Sequence, residues 1–297
     1  YLLAQEAQKR NFNILHYQVK DLFIENNSVF AYTQKLILNP DSDNFFKLLD
    51  KERTNLADLD IIFMRQDPPF NMQYITATHL LEKIKKNVLI INDPQSVRNA
   101  PEKLFVTKFN KLMPPTLITS NKNEIIKFKE KYGEIIIKPL FGNGGESIIK
   151  INKDDYNFSS IIEIFHKMYN EPFVVQKFLS EISEGDKRIF LLNGKILGSI
   201  NRIPADGEIR ANMHVGARPV KSNLSDQEIE ICHIIGPELE KNKLILAGID
   251  VIGGKYLTEI NVTSPTGLQE INKYENKKVE EEIWDFIENN HKTLKIS

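Results

Sequence analysis

Short apolar runs alternate with amphipathic segments through the first third of the chain. Apolar residues recur at helical spacing in residues 1–9 and 72–86, whereas residues 60–65 and 88–93 contain short continuous apolar runs. Strands that alternate with helices predict a parallel sheet, whose ligands bind at the carboxyl ends of the strands. A hairpin-like region is expected around residues 30–38. Because such a domain normally opens with a buried strand, we also expect a first strand upstream of the helix at Tyr1.

A rigid turn follows the apolar run at residues 60–65. Arg65 ends this run, and Gln66, Asp67 and two prolines come next. Proline restrains its own backbone and that of the residue before it, so the turn presents Arg65 and Asp67 in fixed positions. These two charges would suit the ends of a zwitterionic substrate. A solvated turn that merely ends a strand is the alternative.

The pattern changes near Asp93, and we place a domain boundary between residues 98 and 99. Ser96 or Asn99 is expected to start a helix there, and a basic helical run that includes Lys103 follows.

A glycine-rich loop lies between two apolar runs in residues 134–151. Gly142, Gly144 and Gly145 precede a stretch of strand composition, whereas a P-loop or a dinucleotide-binding motif would be followed by a helix. A glycine hairpin can still bind phosphate through its backbone N–H groups, and Lys138 supplies a positive charge just before it. An ordinary hairpin turn is the alternative.

Two further strands are joined at Asn193 and Gly194, a strong hairpin signal. This register predicts Lys187 and Arg202 on one face of the hairpin and Arg188 on the other, unless a bulge intervenes. We expect Arg202 to contact a phosphate or acyl-phosphate oxygen. Helices are predicted over residues 226–243 and 277–290 from the spacing of apolar positions.

Residues 247–265 read as two strands joined at Gly253 and Gly254. A loop of two or four residues would place Asp250, Glu259 and Asn261 on one face, because directly paired residues share a face. The opposite face would be apolar, with Ile249, Val251, Tyr256, Ile260 and Val262. Two carboxylates and a carboxamide on one face favour a hard cation such as Mg²⁺. A solvated face is the alternative. A three-residue loop would instead place Asp250 on the opposite face from Glu259 and Asn261.

Composition and charge exclude several classes of protein. The chain has 297 residues, of which 41% are hydrophobic, and its 39 Lys and Arg balance 40 Asp and Glu to a net charge of -1. Nothing global favours nucleic acid or an anionic membrane, and no apolar run approaches the roughly 20 residues of a membrane span. The single cysteine, Cys232, cannot form an internal disulfide. A cytoplasmic protein is the expectation.

The segment TEINVTSP, which follows GIDVIG, resembles the C-terminal motif of the bacterial glutathione synthetases, members of the ATP-grasp superfamily. This resemblance implies an α/β chain with α+β subdomains. A pre-ATP-grasp domain with a parallel sheet would span residues 1–98, and an ATP-grasp domain would span residues 99–297. Within the second domain, the central lobe with the glycine loop would be 99–180, and the C-terminal lobe with the metal site would be 181–297.

The resemblance also implies an activity and its substrates. The chain would join γ-glutamylcysteine to glycine with ATP, through an acyl phosphate, and would use Mg²⁺ or alternatively Mn²⁺. A dimer or tetramer is implied, with no nucleic acid or membrane partner. The resemblance leaves open a related ATP-grasp ligase that adds an amino acid to another carboxylate, and a nucleotide-binding module without ligase activity.

The residue roles that the motifs imply form four groups. Metal ligands would be Glu259 and Asn261, with Asp250 as a third. Nucleotide would contact Lys103, Lys138, Gly142, Asn143, Gly144, Gly145, Ser147, Gln176, Lys177, Phe178, Leu179 and Arg202. Catalytic charges would come from Lys138, Arg202 and Arg210. The other substrates would contact Arg65, Asp67, Arg210, Asn212, Ser264 and Pro265.

Three positions depart from the family pattern. Gln66 stands where many members carry lysine, Ala217 replaces a glycine in the long loop at 204–220, and Pro219 follows Arg218. The loop is expected to be less flexible as a result. His214 in this loop is expected to be solvated, because carboxylate activation by ATP needs no histidine.

Overall fold

The computed structural model describes residues 1–40 and 44–296. The first part of the chain contains an antiparallel sheet, in which β3 is flanked by β1 and β2 on one side and by β4 on the other, and a separate parallel pair, β5 and β6. Its elements are α1 (Leu2–Lys9), β1 (Leu15–His16), β2 (Leu22–Glu25), β3 (Ser28–Leu38), β4 (Phe46–Asn55), β5 (Ile61–Phe63), α2 (Met72–Glu82), β6 (Leu89–Ile91) and α3 (Pro94–Arg98).

The parallel arrangement predicted for this part is confirmed for β5 and β6, in which Ile62 lies opposite Ile90. The antiparallel sheet is larger than the hairpin that was expected, because β3 is 11 residues long and has partners on both edges. The prediction that Ser96 or Asn99 starts a helix is wrong. Asp93 begins α3 instead, since its carboxylate accepts a hydrogen bond from the Ser96 N–H at 2.9 Å.

The central part of the chain is a four-stranded antiparallel sheet in the order β7-β10-β8-β9, covered by two helices. Ile135 of β8 lies opposite Ile151 of β9, which confirms the strand, glycine loop, strand order. Ile125, Ile137, Ile162 and Phe173 are among the residues of its core. The elements are α4 (Glu102–Phe105), β7 (Thr116–Thr119), α5 (Lys122–Tyr132), β8 (Ile135–Pro139), β9 (Ile149–Ile151), α6 (Phe158–Met168) and β10 (Phe173–Lys177).

The C-terminal part is a five-stranded antiparallel sheet in the order β13-β12-β11-β14-β15. Helix α8 was not predicted, and the last helix begins later and runs further than residues 277–290. The elements are β11 (Asp186–Leu192), β12 (Lys195–Ile203), β13 (Arg218–Lys221), α7 (Asp226–Lys241), β14 (Leu246–Ile252), β15 (Tyr256–Asn261), α8 (Leu268–Glu275) and α9 (Val279–Ile296).

A β-bulge changes the register of the β11–β12 hairpin. The turn at Asn193 and Gly194 forms as predicted, with positive φ at both residues. The pairing then shifts between Phe190 and Leu191, so that Arg202 lies opposite Asp186. Arg202 therefore shares a face with Asp186 and Arg188, and the predicted separation of Arg188 from Arg202 is wrong because the bulge reverses the parity.

A turn and a second bulge set the register of β14 and β15. Ile252 pairs with Tyr256, so the turn has three residues. This turn alone would place Asp250 on the opposite face from Glu259 and Asn261. A register shift between Asp250 and Val251 reverses this placement, so that Asp250 lies opposite Glu259 and Gly248 opposite Asn261. The polar face is formed as predicted. Tyr256, however, does not lie on the apolar face, because its partner is Ile252 rather than a residue of that face.

The N-terminal and C-terminal parts share one hydrophobic core. Residues from both, such as Val29, Ile62, Ile249 and Val262, belong to the same buried cluster. Within the described ranges 1–40 and 44–296, no helix has the length and apolar character needed to cross a membrane.

Candidate active site

A cleft lies between the central sheet and the C-terminal sheet, roofed by the glycine-rich loop. It brings together most of the residues assigned to nucleotide, metal and substrate contacts from the sequence. Those that line it are Lys103, Lys138, Gly142, Asn143, Gly144, Gly145, Gln176, Lys177, Leu179, Arg210, Asn212, Asp250 and Glu259.

Ser147, Phe178, Arg202 and Asn261 do not line the cleft. Arg202 lies behind its wall, only 3% exposed. The ring of Phe178 lies under the Lys150 ammonium group, 4.0 Å from it. Asn261 stays close to the cleft, because its side-chain amide donates to an oxygen of Asp250 at 3.3 Å.

Two lysines converge on one carboxylate inside the cleft. Lys138 Nζ lies 3.3 Å from Glu259 Oε1, and Lys103 Nζ lies 3.5 Å from the same oxygen. Lys103 also donates to the Gly142 carbonyl at 2.6 Å, which ties it to the glycine loop. Burial lowers the pKa of Lys138, although Glu259 opposes this. Two buried cations that share one carboxylate leave positive charge for an anionic ligand such as a phosphate.

The glycine-rich loop needs its glycines for conformation and for close approach. Gly144 and Gly145 have φ values of 61° and 83°. A Cβ on Gly145 would lie 2.5 Å from Asn212 Oδ1, and the Arg210 guanidinium donates to the Gly145 carbonyl at 3.3 Å. The long loop at 204–217 therefore packs directly on the glycine loop. His214 is exposed in this loop, as expected.

Asp250 is held by two arginines at the base of the cleft. Arg188 Nε donates to Asp250 Oδ1 at 2.6 Å and Arg188 NH2 to Oδ2 at 3.1 Å, while Arg202 lies 3.0 Å from Oδ1. Burial acts to raise the pKa of Asp250, but the two guanidinium groups outweigh it and hold that pKa below its ordinary value. Both oxygens of Asp250 are thus engaged by protein cations.

Asp186 also lines the cleft, and it was not predicted from the sequence. Its Oδ2 accepts from Arg202 at 2.6 Å, whereas Oδ1 is buried without a hydrogen-bond partner in the described structure. Burial raises the pKa of this carboxyl to about 7, although Arg202 opposes the shift. The signal available in the sequence was an acidic residue at the start of β11. Alternation along β11 places it on the same face as Arg188, but only the bulge of the hairpin brings Arg202 to that face.

Of the residues assigned to the other substrates, Arg210 and Asn212 line the cleft, whereas Arg65, Asp67, Ser264 and Pro265 do not. Arg65 donates to the Pro265 carbonyl at 3.0 Å, and the Ser264 hydroxyl donates to the Arg65 carbonyl at 3.4 Å. Arg65 and Pro265 also line a second cavity, of about 1140 Å³. Asp67 is exposed in its turn.

On the polar face of β14 and β15, the oxygens of Glu259 and Asn261 have no arginine partner among the described residues, in contrast to those of Asp250. Across the residues that the structure describes, no three His, Cys, Asp or Glu side chains are arranged to hold a metal ion. A carboxylate and a carboxamide two positions apart on one face still suit a hard cation that takes phosphate and water as its other ligands.

The fold defines the class of protein. The structure resembles the ATP-grasp ligase PsnB, solved with a minimal precursor, Mg and ADP, with a TM-score of 0.61 and 14% identity over 98% of this chain and 94% of that one. It also resembles D-alanine–D-alanine ligase from Bacillus anthracis, with a TM-score of 0.52 and 16% identity over 70% of this chain and 72% of that one. The chain therefore has the ATP-grasp fold predicted from its sequence.

The sequence comparisons define the family within that class. Residues 1–98 match the N-terminal domain of prokaryotic glutathione synthetase, and residues 102–276 match its ATP-grasp domain. A glutathione synthetase from Mesorhizobium japonicum is 44% identical over 98% of this chain and 93% of its own length. One from Agrobacterium fabrum is 46% identical over 97% and 90%. The chain belongs to the prokaryotic glutathione synthetase family and is an ATP-dependent ligase, as predicted.

Proposed function

We infer that the protein joins γ-glutamylcysteine to glycine at the expense of ATP, giving glutathione, ADP and phosphate through an acyl phosphate. The observation that carries this proposal is the meeting of Lys103 and Lys138 at Glu259 beneath the glycine loop. In a member of this family, such a convergence supports a site for the phosphates of ATP.

The cleft supports a set of roles for the nucleotide-binding residues. Lys103, Lys138 and the N–H groups of the glycine loop would bind phosphate oxygens. The strand end at Gln176–Leu179 would bind adenine through its backbone. The unpaired Oδ1 of Asp186 would accept a hydrogen bond from a ribose hydroxyl, which would supply the partner that this buried oxygen lacks.

Glu259 and Asn261 would hold Mg²⁺, with Mn²⁺ as the alternative, and Asp250 would be a third ligand only through an oxygen that it shares with an arginine. When bound, the cation supplies neutralisation of the phosphate charge that builds up during transfer. Arg202 would act at longer range, by holding Asp186 and Asp250 in place. Arg210, which links the long loop to Gly145, would bring its charge over the phosphates.

The reaction needs no covalent nucleophile from the protein. The cysteinyl carboxylate of the dipeptide attacks the γ-phosphorus of ATP, ADP leaves, and the glycine amine then displaces phosphate from the acyl phosphate. Positioning and electrostatic stabilisation carry most of such a reaction. Arg65, Asp67, Asn212, Ser264 and Pro265 would contact the two amino-acid substrates. A cytoplasmic dimer or tetramer that acts on these small molecules, without nucleic acid or membrane, completes the proposal.

The test is the release of ADP with MgATP and γ-glutamylcysteine, glycine, both or neither, followed by a mass spectrum of the product. We expect rapid ADP release only with both substrates and a product with the mass of glutathione. A product from another carboxylate or another amine would favour a related ATP-grasp ligase. ATP binding without any ligation would favour a nucleotide-binding module.

A further inference from the structure

The start of the glycine-rich loop is stacked against a residue from the N-terminal part of the chain. Phe141 lies directly before Gly142, and its ring packs on that of Phe70, with 6.1 Å between the ring centroids and 21° between the ring planes. Aromatic pairs in such an arrangement attract each other beyond the effect of the area that they bury. The contact therefore ties the loop to a segment that is distant from it in the sequence.

Phe70 has little freedom to move. It follows two prolines, whose rings restrain the backbone. The next residue, Asn71, begins α2, because its side-chain oxygen accepts from the N–H groups of Gln73 and Tyr74. The ring of Phe70 also contacts that of Tyr74, 5.0 Å away, and packs against the core that the N-terminal and C-terminal parts share. Phe70 is thus a fixed surface for its partner ring.

The loop, in contrast, has much conformational freedom to lose. Three of the four residues 142–145 are glycines, and glycine loses more backbone entropy on ordering than any other residue. Contacts from outside the loop offset this cost. Lys103 holds the Gly142 carbonyl and Arg210 holds the Gly145 carbonyl. The aromatic stack is a further contact, and unlike these two it involves no charged group.

Neither ring of the stack lines the cleft or the second cavity. Phe141 and Phe70 are each partly buried, outside the space in which a nucleotide would bind. The chain turns tightly just after the stack, since a Cβ on Gly142 would lie 2.6 Å from Cγ of Pro139. An effect of the stack on a bound nucleotide would therefore pass through the backbone of the loop.

We propose that Phe141 is a positioning residue for the phosphates of ATP, because its stack on Phe70 holds the glycine-rich loop where the N–H groups of the loop donate to phosphate oxygens. This inference rests on the proposed function and deepens it, since it names what holds one part of the nucleotide site in place. The ring itself touches no substrate. It reduces the entropic cost of ordering the loop when the nucleotide binds.

The test compares the binding of two ligands, AMPPNP with Mg²⁺ and adenosine. AMPPNP is an ATP analogue that resists hydrolysis, whereas adenosine lacks the phosphates. Phe141→Leu keeps an apolar side chain but removes the ring. We expect F141L to bind AMPPNP roughly 3- to 10-fold more weakly than the wild type does, the range for an aromatic pair. Its affinity for adenosine should be unchanged, whereas general damage to the cleft would weaken both ligands.

Turnover gives a second readout. In F141L the KM for ATP should rise by the same factor, while kcat stays within about twofold of the wild-type value. The reason is that at saturating ATP the bound phosphates themselves hold the loop. Phe141→Tyr keeps the ring, and F141Y should therefore have the wild-type affinity for AMPPNP and the wild-type KM for ATP.

Two further variants separate the stack from the size of the side chain. Phe70→Leu removes the partner ring, so F141L should have no further effect on AMPPNP binding in the F70L background. Phe23→Leu is the matched control. Phe23 and Phe30 form a partly buried pair on the antiparallel sheet, with the same angle of 21° between their ring planes. F23L should keep the wild-type affinity for AMPPNP.

Four results would overturn the inference. They are wild-type affinity for AMPPNP in F141L, equal losses for AMPPNP and adenosine, a loss in F141Y as large as that in F141L, and an undiminished effect of F141L in the F70L background. If F141L does not fold, wild-type affinity for AMPPNP in F70L overturns it as well. Any of these results together with glutathione formation would leave the proposed function intact. A wild-type protein that binds AMPPNP no more tightly than adenosine would instead contradict the phosphate site of the proposed function, and the inference with it.

Discussion

At the scale of single residues, the contact between Lys138 and Glu259 is the centre of the proposed phosphate site. Lys138 is buried and Glu259 is largely buried, and the Glu259 carboxylate is the counter-charge of both Lys138 and Lys103. Burial acts to raise the pKa of Glu259, but the two lysines outweigh it and keep that pKa below its ordinary value. The carboxylate is therefore ionised at neutral pH, which suits a ligand of a divalent cation.

Removal of either partner should lower turnover. We expect Lys138→Ala or Glu259→Ala to reduce kcat by roughly 10²-fold or more, as for other electrostatic stabilisers of a transition state. Steady-state ADP release measures this. Lys127→Ala and Glu124→Ala, an exposed pair on α5, are the matched controls and should keep wild-type turnover. Near-wild-type kcat in either site variant would contradict the assignment.

Asp186 gives a prediction about pH. Its pKa in the folded protein is raised by burial to about 7, above the ordinary value of 3.8. The folded state therefore binds more protons than the unfolded state between these values, and stability without ligand should fall as the pH rises through this window. Asp186→Asn should remove that part of the slope and be more stable relative to wild type at pH 8 than at pH 5. Thermal unfolding at both pH values checks this, and an unchanged slope would refute it.

At the scale of elements, two β-bulges decide which side chains face the cleft. The sequence shows that Asp250, Glu259 and Asn261 are polar residues in strands, and the polar face predicted from them forms. It forms, however, because the three-residue turn and the bulge each exchange the two faces of the hairpin, so that their effects cancel. Neither feature was visible in the sequence. In the β11–β12 hairpin no second change cancels the bulge, so the predicted face of Arg202 was wrong and Asp186 was missed.

The contact between the two loops gives a prediction at the same scale. Gly145→Ala places a methyl group against Asn212 at a residue with φ of 83°, so it should lower kcat/KM for ATP by roughly tenfold or more through a displaced loop. Gly133→Ala has a similar φ of 79° but open space around it, and it should cost stability alone. Equal kcat/KM values for ATP in the two variants would show that loop closure does not depend on this contact.

At the scale of the whole molecule, one buried asparagine joins the N-terminal and C-terminal parts. Asn92, just after β6, donates to the Leu246 and Val262 carbonyls at 2.7 and 2.8 Å. It also accepts from the Leu246 N–H at 2.8 Å. These bonds align β14 and the end of β15 with the parallel pair, and so fix the position of Arg65 relative to the polar face.

Loss of this side chain should destabilise the protein more than a surface change. Asn92→Ala leaves three buried backbone groups without partners, and we expect a loss of about 3 kcal/mol in the free energy of unfolding. Urea unfolding measures it. Asn242→Ala is the control and should lose much less, because the Asn242 side chain donates to the Glu238 carbonyl and carboxylate within its own helix end. Equal losses would mean that Asn92 does not join the two parts.

The sequence predicted the class of fold because its motifs and its alternation of strands and helices are local features. Contacts between distant segments could not be predicted from the sequence. The bonds of Asn92, the shared core and the approach of Glu102 to Thr263 each depend on residues more than 100 positions apart. The boundary between residues 98 and 99 remains a prediction, since the core runs across it.

The most direct test of the proposed reaction traces a carboxylate oxygen of the dipeptide substrate. γ-Glutamylcysteine labelled with ¹⁸O at both oxygens of its cysteinyl carboxylate is incubated with the protein, MgATP and glycine, and the products are analysed by mass spectrometry. Attack of that carboxylate on ATP requires one labelled oxygen to leave with phosphate when the amine displaces it. We predict one ¹⁸O in each phosphate released and a product with the mass of glutathione. Unlabelled phosphate, or labelled phosphate without glutathione, would contradict the account.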